Sequence, residues 1–228
     1  MSRCIAVLGA PGAGVTTTAV QLAAQLSAGS TTTVLLVLCD AALPPKGYLM
    51  ADTRAESIGG QLVQAGPVND KELLRAVVPV NDYFGLMGYN VGDTKTTYPA
   101  PTKGGCEKWC RALTAQADVI LYDLGSRADT LLAEAVLETA DTVVSVLGAE
   151  VKSAAWYRHT GKGLDTDIQI INRAAKGQPV EVFEGAVGTF FSLPYSLELE
   201  RNFETLRLLE PVKDSRYIAA LQEVVEKL

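Results

Sequence analysis

The chain has 228 residues, of which 48% are hydrophobic and 20% charged, and its formal net charge is −6. That length and balance suit one full α/β domain with a buried sheet and exclude a chain too polar to collapse. The negative charge argues against a duplex-binding surface, which must neutralise phosphates, and no run of Lys and Arg marks a local basic patch.

Short β-branched and aliphatic runs alternate with helical patterns along the chain, the signature of a parallel sheet with crossover helices. The first run, Cys4-Ile5-Ala6-Val7-Leu8, breaks at Gly9 and Pro11, so it is expected to be a strand and not the core of a secretion signal, and the protein is expected in the cytoplasm. Further strands are predicted at 34–38, 119–122, 142–147, 168–171 and 189–192, with another at 83–87. Helices are predicted at 16–26, 73–77, 107–116, 130–139, 153–159, 197–208 and 217–227. The stretch 88–105 is rich in Gly, Thr, Pro and Lys, has no period, and reads as a long surface loop of functional or mobile character. No repeat and no break in composition divides the chain, so residues 1–228 are expected to form a single domain. No apolar stretch reaches the roughly 18–20 residues needed to span a bilayer.

Four cysteines are present. Cys4 and Cys39 lie in apolar runs, where a thiol packs as a small hydrophobe. Cys106 and Cys110 stand one helical turn apart, but no further ligands for zinc lie near them and the chain has one histidine, His159. With one histidine, no Ser-His-Asp or Cys-His arrangement is available either.

The most informative segment is Gly9-Ala10-Pro11-Gly12-Ala13-Gly14-Val15-Thr16-Thr17, which follows the first strand and opens an alanine-rich helix. That is the context in which G-x-x-x-x-G-K-[ST] marks a phosphate loop. Glycines let the backbone wind around an anion, and N–H groups at the helix start point toward it. Thr16 supplies a hydroxyl for a magnesium shell and Thr17 one for a phosphate oxygen. The pattern fails at Val15, where the lysine that neutralises the phosphates should stand. From the loop alone, a Gly-rich strand-to-helix turn with no ligand reads equally well. Context adds weight: three strands end in polar residues, at Asp40, at Asp123 and at Asn172-Arg173, and such ends converge on one crevice in a parallel sheet. Asp123 suits a magnesium-linked acid, although strand-end acids also occur as helix caps.

In this order the segments resemble the ParA/MinD group of P-loop ATPases, the deviant-loop branch of the fold, from Arg3 to Leu228. The resemblance implies a doubly wound, mainly parallel sheet with helices on both faces. It also implies ATP or ADP with Mg2+, held by Pro11, Gly12, Ala13, Gly14, Val15, Thr16 and Thr17. Thr16 and Asp123 are then the metal-side residues. Asp40 matches the acid that helps activate the attacking water, while its partner acid is replaced by Leu38. Asn172 matches the adenine-reading Asn, with Arg173 beside it, and Pro194 the late proline near the base pocket. The family's second lysine, early in the loop, is replaced by Ala10. With both lysines and one acid missing, the resemblance implies a pseudo- or weak ATPase acting as a localisation or assembly factor. It implies a homodimer and a protein partner. Gly88-Tyr89-Asn90 and Thr97-Tyr98-Pro99 resemble a smaller set related to the TadZ/CpaE group, which help localise a pilus or secretion machine.

Two alternatives remain beside that reading. One is a working ATPase whose cation comes from Lys46, Arg127, Lys152, Arg173 or a partner subunit; the other is an interaction module without a ligand. Trp156, Tyr157, Arg158 and His159 are expected on a helix packed against the sheet. The last helix carries Ile218, Leu221, Val225 and Leu228 at helical spacing. MinD proteins end in a basic membrane-binding helix; here Glu223 and Glu226 offset Lys227, so packing is expected, with peripheral membrane contact left open.

Overall fold

The computed structural model describes residues 2–29, 31–50, 55–64, 66–94, 96–175 and 181–228. Eight strands form one sheet: β1 (Arg3–Gly9), β2 (Val34–Leu38), β3 (Val78–Pro79), β4 (Phe84–Gly88), β5 (Val119–Asp123), β6 (Thr142–Gly148), β7 (Ile168–Ala174) and β8 (Phe191–Pro194). Their spatial order is β3-β4-β2-β5-β1-β6-β7-β8. Every pairing is parallel except the short edge strand β3 on β4. The expected doubly wound sheet is therefore the observed one.

The alternation of side chains along β1 shows how two core layers arise from one strand. Ile5 and Val7 face α1 (Val15–Ser27) in the first layer, and Cys4, Ala6 and Leu8 face α5 (Lys103–Leu113) and α6 (Leu131–Thr139) in the second. Both faces of the central strands are covered, so β1, β2 and β5 read as continuous apolar runs instead of alternating ones. The first layer is completed by α10 (Ser215–Val225), which buries Tyr217, Leu221 and Val224. Ile218 and Val225, predicted to lead that face, are only half-buried. Cys106 and Cys110 pack in the second layer as free thiols, and burial pushes the Cys110 thiol up to about 12. Trp156 and Tyr157, on α7 (Val151–His159), are half-buried against the core.

Several boundaries differ from the sequence expectation. The helix predicted at 107–116 begins at Lys103, because the Thr102 hydroxyl accepts the Gly105 N–H and caps it. The helix predicted at 73–77 is α4 (Asp70–Ala76), opened by Asn69, whose side chain accepts the Glu72 N–H. The last strand lies at Phe191–Pro194 and not 189–192. The helix predicted at 197–208 is α9 (Leu197–Glu204), followed by Leu206 at φ 59°. Helices α2 (Lys46–Leu49), α3 (Ile58–Leu62) and α8 (Glu181–Val187), with strand β3, were not foreseen.

The strand order puts β1 between β5 and β6, so the chain winds outward in both directions from it and leaves a crevice above its carboxyl end. Gly9, the last residue of β1, sits so close to β6 that a Cβ there would overlap the Val146 carbonyl, and this closeness lets the loop after β1 turn into the crevice. Among the described residues, no helix is long and apolar enough to cross a membrane.

Candidate functional site

Residues 9–17 run from β1 into α1 at this crevice. Gly12 (φ 78°) and Gly14 (φ 85°) both take left-handed conformations that L side chains rarely adopt, and they curl the backbone so that its amides face inward. Ala10 N–H donates to Val146 O and Ala13 N–H to Ala10 O, which fixes the ring. Among the described residues, the N–H groups of Gly12, Gly14, Val15, Thr16 and Thr17 have no acceptor, and α1 has no side-chain cap. Unpaired donors at a helix N-terminus, with the positive end of its dipole, make an anion cradle.

The two positions lacking lysine are not vacancies. Ala10 is 0% and Val15 6% exposed, and both belong to the first core layer. The loop has absorbed them as packing residues.

At the floor of the crevice Asp123 ends β5 at 0% exposure. Its Oδ1 accepts the Gly125 N–H at 3.0 Å, while its Oδ2 is buried with no hydrogen-bond partner. Burial pushes its carboxyl from 3.8 up to about 6; the nearby Thr16 hydroxyl and the Gly125 N–H oppose that shift, and Asp40 adds to it. A buried carboxylate with an unused oxygen beside a hydroxyl suits a divalent cation bound directly or through water. Thr16 and Asp123 therefore fit Mg2+. Tyr48, on α2, brings its hydroxyl to Thr16 as well, a neighbour that nothing in the sequence pattern signals. Asp40, just past β2, accepts the Ala42 and Leu43 N–H groups through Oδ1 and leaves Oδ2 facing Gly125.

The cradle opens into a cavity of about 630 Å3 lined on the loop side by Gly12, Gly14, Thr16 and Thr17, with Asp40, and on the far side by Asn172, Arg173, Pro194, Tyr195, Phe203 and Tyr217. Its size suits a nucleotide. The structure thus brings the predicted residues from loop, β7 and β8 to one space. Tyr195 directly follows β8, in the stretch the sequence sets beside Pro194, whereas Phe203 and Tyr217 were not foreseen; they arrive through α9 and α10, whose apolar spacing reads as ordinary packing. Asn172 is 4% exposed and both ends of its amide are engaged: Nδ2 donates to Ala13 O at 2.8 Å, and Oδ1 accepts the Arg173 N–H. In this conformation it buttresses the loop. A second cavity, of about 570 Å3, lies across Asp40, between the 89–102 segment and the start of α6.

Of the four cations considered from sequence, two reach the loop. Arg173 Nη2 donates to Gly12 O at 2.7 Å and lies 3.9 Å from Glu150. Lys152 Nζ sits over Gly12, 3.5 Å from where a Cβ would project. Lys46 is instead 3% exposed, donating to the carbonyls of Ala55 and Glu56, and burial lowers its pKa. Arg127 is paired with Asp129 and lines the second cavity.

No family model and no curated protein matches the chain. Solved structures do. A ParA family ATPase from Chlorobium tepidum TLS superposes with a TM-score of 0.82 at 16% identity, covering 99% of this chain and 98% of that one. The cell division ATPase MinD of Pyrococcus furiosus gives 0.76 at 16% identity over 100% and 99% of the two chains. The septum site-determining protein MinD from Pyrococcus horikoshii OT3, complexed with Mg-ADP, gives 0.73 at 16% identity over 100% and 96%. Such identities speak for architecture alone, and the chain has a ParA/MinD-like fold.

Proposed function

We propose that this protein binds a nucleoside di- or triphosphate with Mg2+ at the 9–17 loop, hydrolyses it slowly or not at all, and serves as a localisation or assembly factor. One observation carries the reading: five loop amides without acceptors line the crevice, and the buried Asp123 carboxylate neighbours Thr16 at its edge. The Mg-ADP in the Pyrococcus horikoshii structure supports a nucleotide as the ligand. Mg2+, when bound, would neutralise phosphate charge; Thr16 and Asp123 would hold it, and the loop amides would orient the phosphates. Asp40 would direct a water. Val15 offers no charge to a transferring phosphate, and losing one such stabilising group commonly lowers rate by a factor of about 10² or more.

A homodimer and a protein partner in the cytoplasm, in a pilus or secretion machine or at a membrane surface, complete the proposal. The 88–90 and 97–99 residues support the pilus assignment, and the ParA/MinD-like fold supports the dimer. Titration calorimetry with ATP and ADP, with and without Mg2+, tests binding, with an expected Kd in the micromolar-to-millimolar range, about −8 to −4 kcal/mol. Phosphate release tests turnover. Robust hydrolysis by the isolated chain that Asp40→Ala abolishes would favour a working ATPase, and no binding at millimolar ATP would favour an interaction module.

A further inference from the structure

We propose that Lys152 and Arg173 are the phosphate-neutralising cations of this loop, supplied in cis in place of the lysine that Val15 replaces, and that they make the site selective for polyphosphates. This rests on the nucleotide reading above.

The geometry comes from two elements far apart in sequence. Helix α7 starts directly after β6, and its first turn is anchored: Ser153 is 0% exposed and its hydroxyl accepts the Gly148 N–H at 2.8 Å. That anchor sets Lys152, one residue earlier, over Gly12. Arg173 approaches from β7. It is one of two described non-glycine residues with positive φ, at 57°, and the β7–β8 register shifts around it. A left-handed arginine is unfavourable and persists only where surroundings over-determine it. Here Asn172 does so, holding the Arg173 N–H with Oδ1 and the loop with Nδ2, while the guanidinium reaches Gly12 O. The backbone is strained at the residue whose side chain lies on the cradle.

Both cations are solvent-exposed; Arg173 lines the cavity, and Lys152 Nζ lies beside Gly12 at its rim. Arg173 uses one N–H on the Gly12 carbonyl, leaving others for a phosphate oxygen. Its ion pair with Glu150 is long and exposed, so a multiply charged phosphate can displace it. Val15 and Ala10 are packed inward and offer no competing charge.

The test is calorimetry with Mg-ATP, Mg-ADP and AMP on the full chain and on Lys152→Ala, Arg173→Ala and the double variant, each checked for an unchanged melting profile. Lys152→Ala and Arg173→Ala should each weaken Mg-ATP by about tenfold, Mg-ADP by less, and AMP least. A merely structural role would not grade with phosphate number. Lys152→Arg should retain affinity, and Lys162→Ala, on an exposed turn, should change nothing. If the unaltered chain binds Mg-ATP and the double variant binds it equally well, the cation assignment fails while the nucleotide reading stands. If the unaltered chain binds no nucleotide at millimolar concentration, both fall.

Discussion

Asp123 holds a carboxylate fully out of water with one oxygen unpartnered, and its carboxyl is raised from 3.8 to about 6. A raised folded-state value means that the folded chain binds more protons than the unfolded chain between those two pH values. Stability should therefore fall as pH rises through that window and level off above it. Asp123→Asn keeps an acceptor for Gly125 and carries no charge, so at pH 7.5 it should stabilise the protein by about 2–3 kcal/mol, with the gain vanishing near pH 3.5. Urea denaturation at the two pH values measures this; an equal effect at both would show that burial of charge is not the cause. The same variant should lose any Mg2+-dependence of nucleotide binding, as expected if Asp123 trades stability for the proposed metal site. Asp123 was legible in the sequence as an acid ending an apolar strand. Its missing partner was not, since that depends on how α1 and α2 bring Thr16 and Tyr48 across the crevice.

Strand β1 and the 89–102 segment show what single elements contribute. Gly9 must lack a side chain because β6 passes directly beside it, and a Cβ would meet Val146 backbone, which cannot rotate away. Gly9→Ala should destabilise by about 3 kcal/mol or more and shift the phosphate loop, measured as a lowered urea midpoint together with lost ATP affinity; a neutral outcome would mean that β1 and β6 separate freely. The sequence reads 88–105 as one aperiodic loop; in the structure its ends belong to β4 and α5, and residues 89–94 and 96–102 are loop. Yet Asp93 bonds the Ser57 hydroxyl and the Asn90 N–H, and the Tyr98 ring lies on Gly59 and Gly60 of α3. Those contacts were invisible beforehand because α3, a five-residue helix containing two glycines, has no intrinsic helical preference and forms through its Ser57 cap and packing. Tyr98→Ala should speed limited proteolysis within 89–102 while changing global stability by less than about 1 kcal/mol, since the loop opens locally. Global destabilisation with no change in cleavage pattern would reverse that assignment.

At the scale of the molecule, the strands that build the crevice were legible because burial on both faces leaves continuous apolar runs ending in Asp40, Asp123 and Asn172. The loop cations were legible only as candidates. Lys152 and Arg173 lie well over a hundred residues beyond Gly12, and the sheet order alone brings them to it. That same topology predicts how ligand binding and folding are linked. The loop follows β1, Asp40 follows β2, Asp123 ends β5, Asn172 lies on β7 and Pro194 on β8, so a ligand in the crevice bridges both halves of the sheet. It can bind only when those halves are assembled, and it should stabilise the whole domain and not one segment. Mg-ATP at about 100 times its Kd contributes about 2.7 kcal/mol, which for a chain of this size corresponds to a rise in Tm of roughly 5–10 °C. Thr16→Ala should remove the part of that rise that depends on Mg2+, and Mg-ADP should give a smaller rise than Mg-ATP because fewer phosphate oxygens meet the cations. Differential scanning calorimetry at equal concentrations of the two nucleotides measures all three. Binding seen by titration with no rise in Tm would mean that the ligand also binds the unfolded chain, and so does not need the assembled sheet.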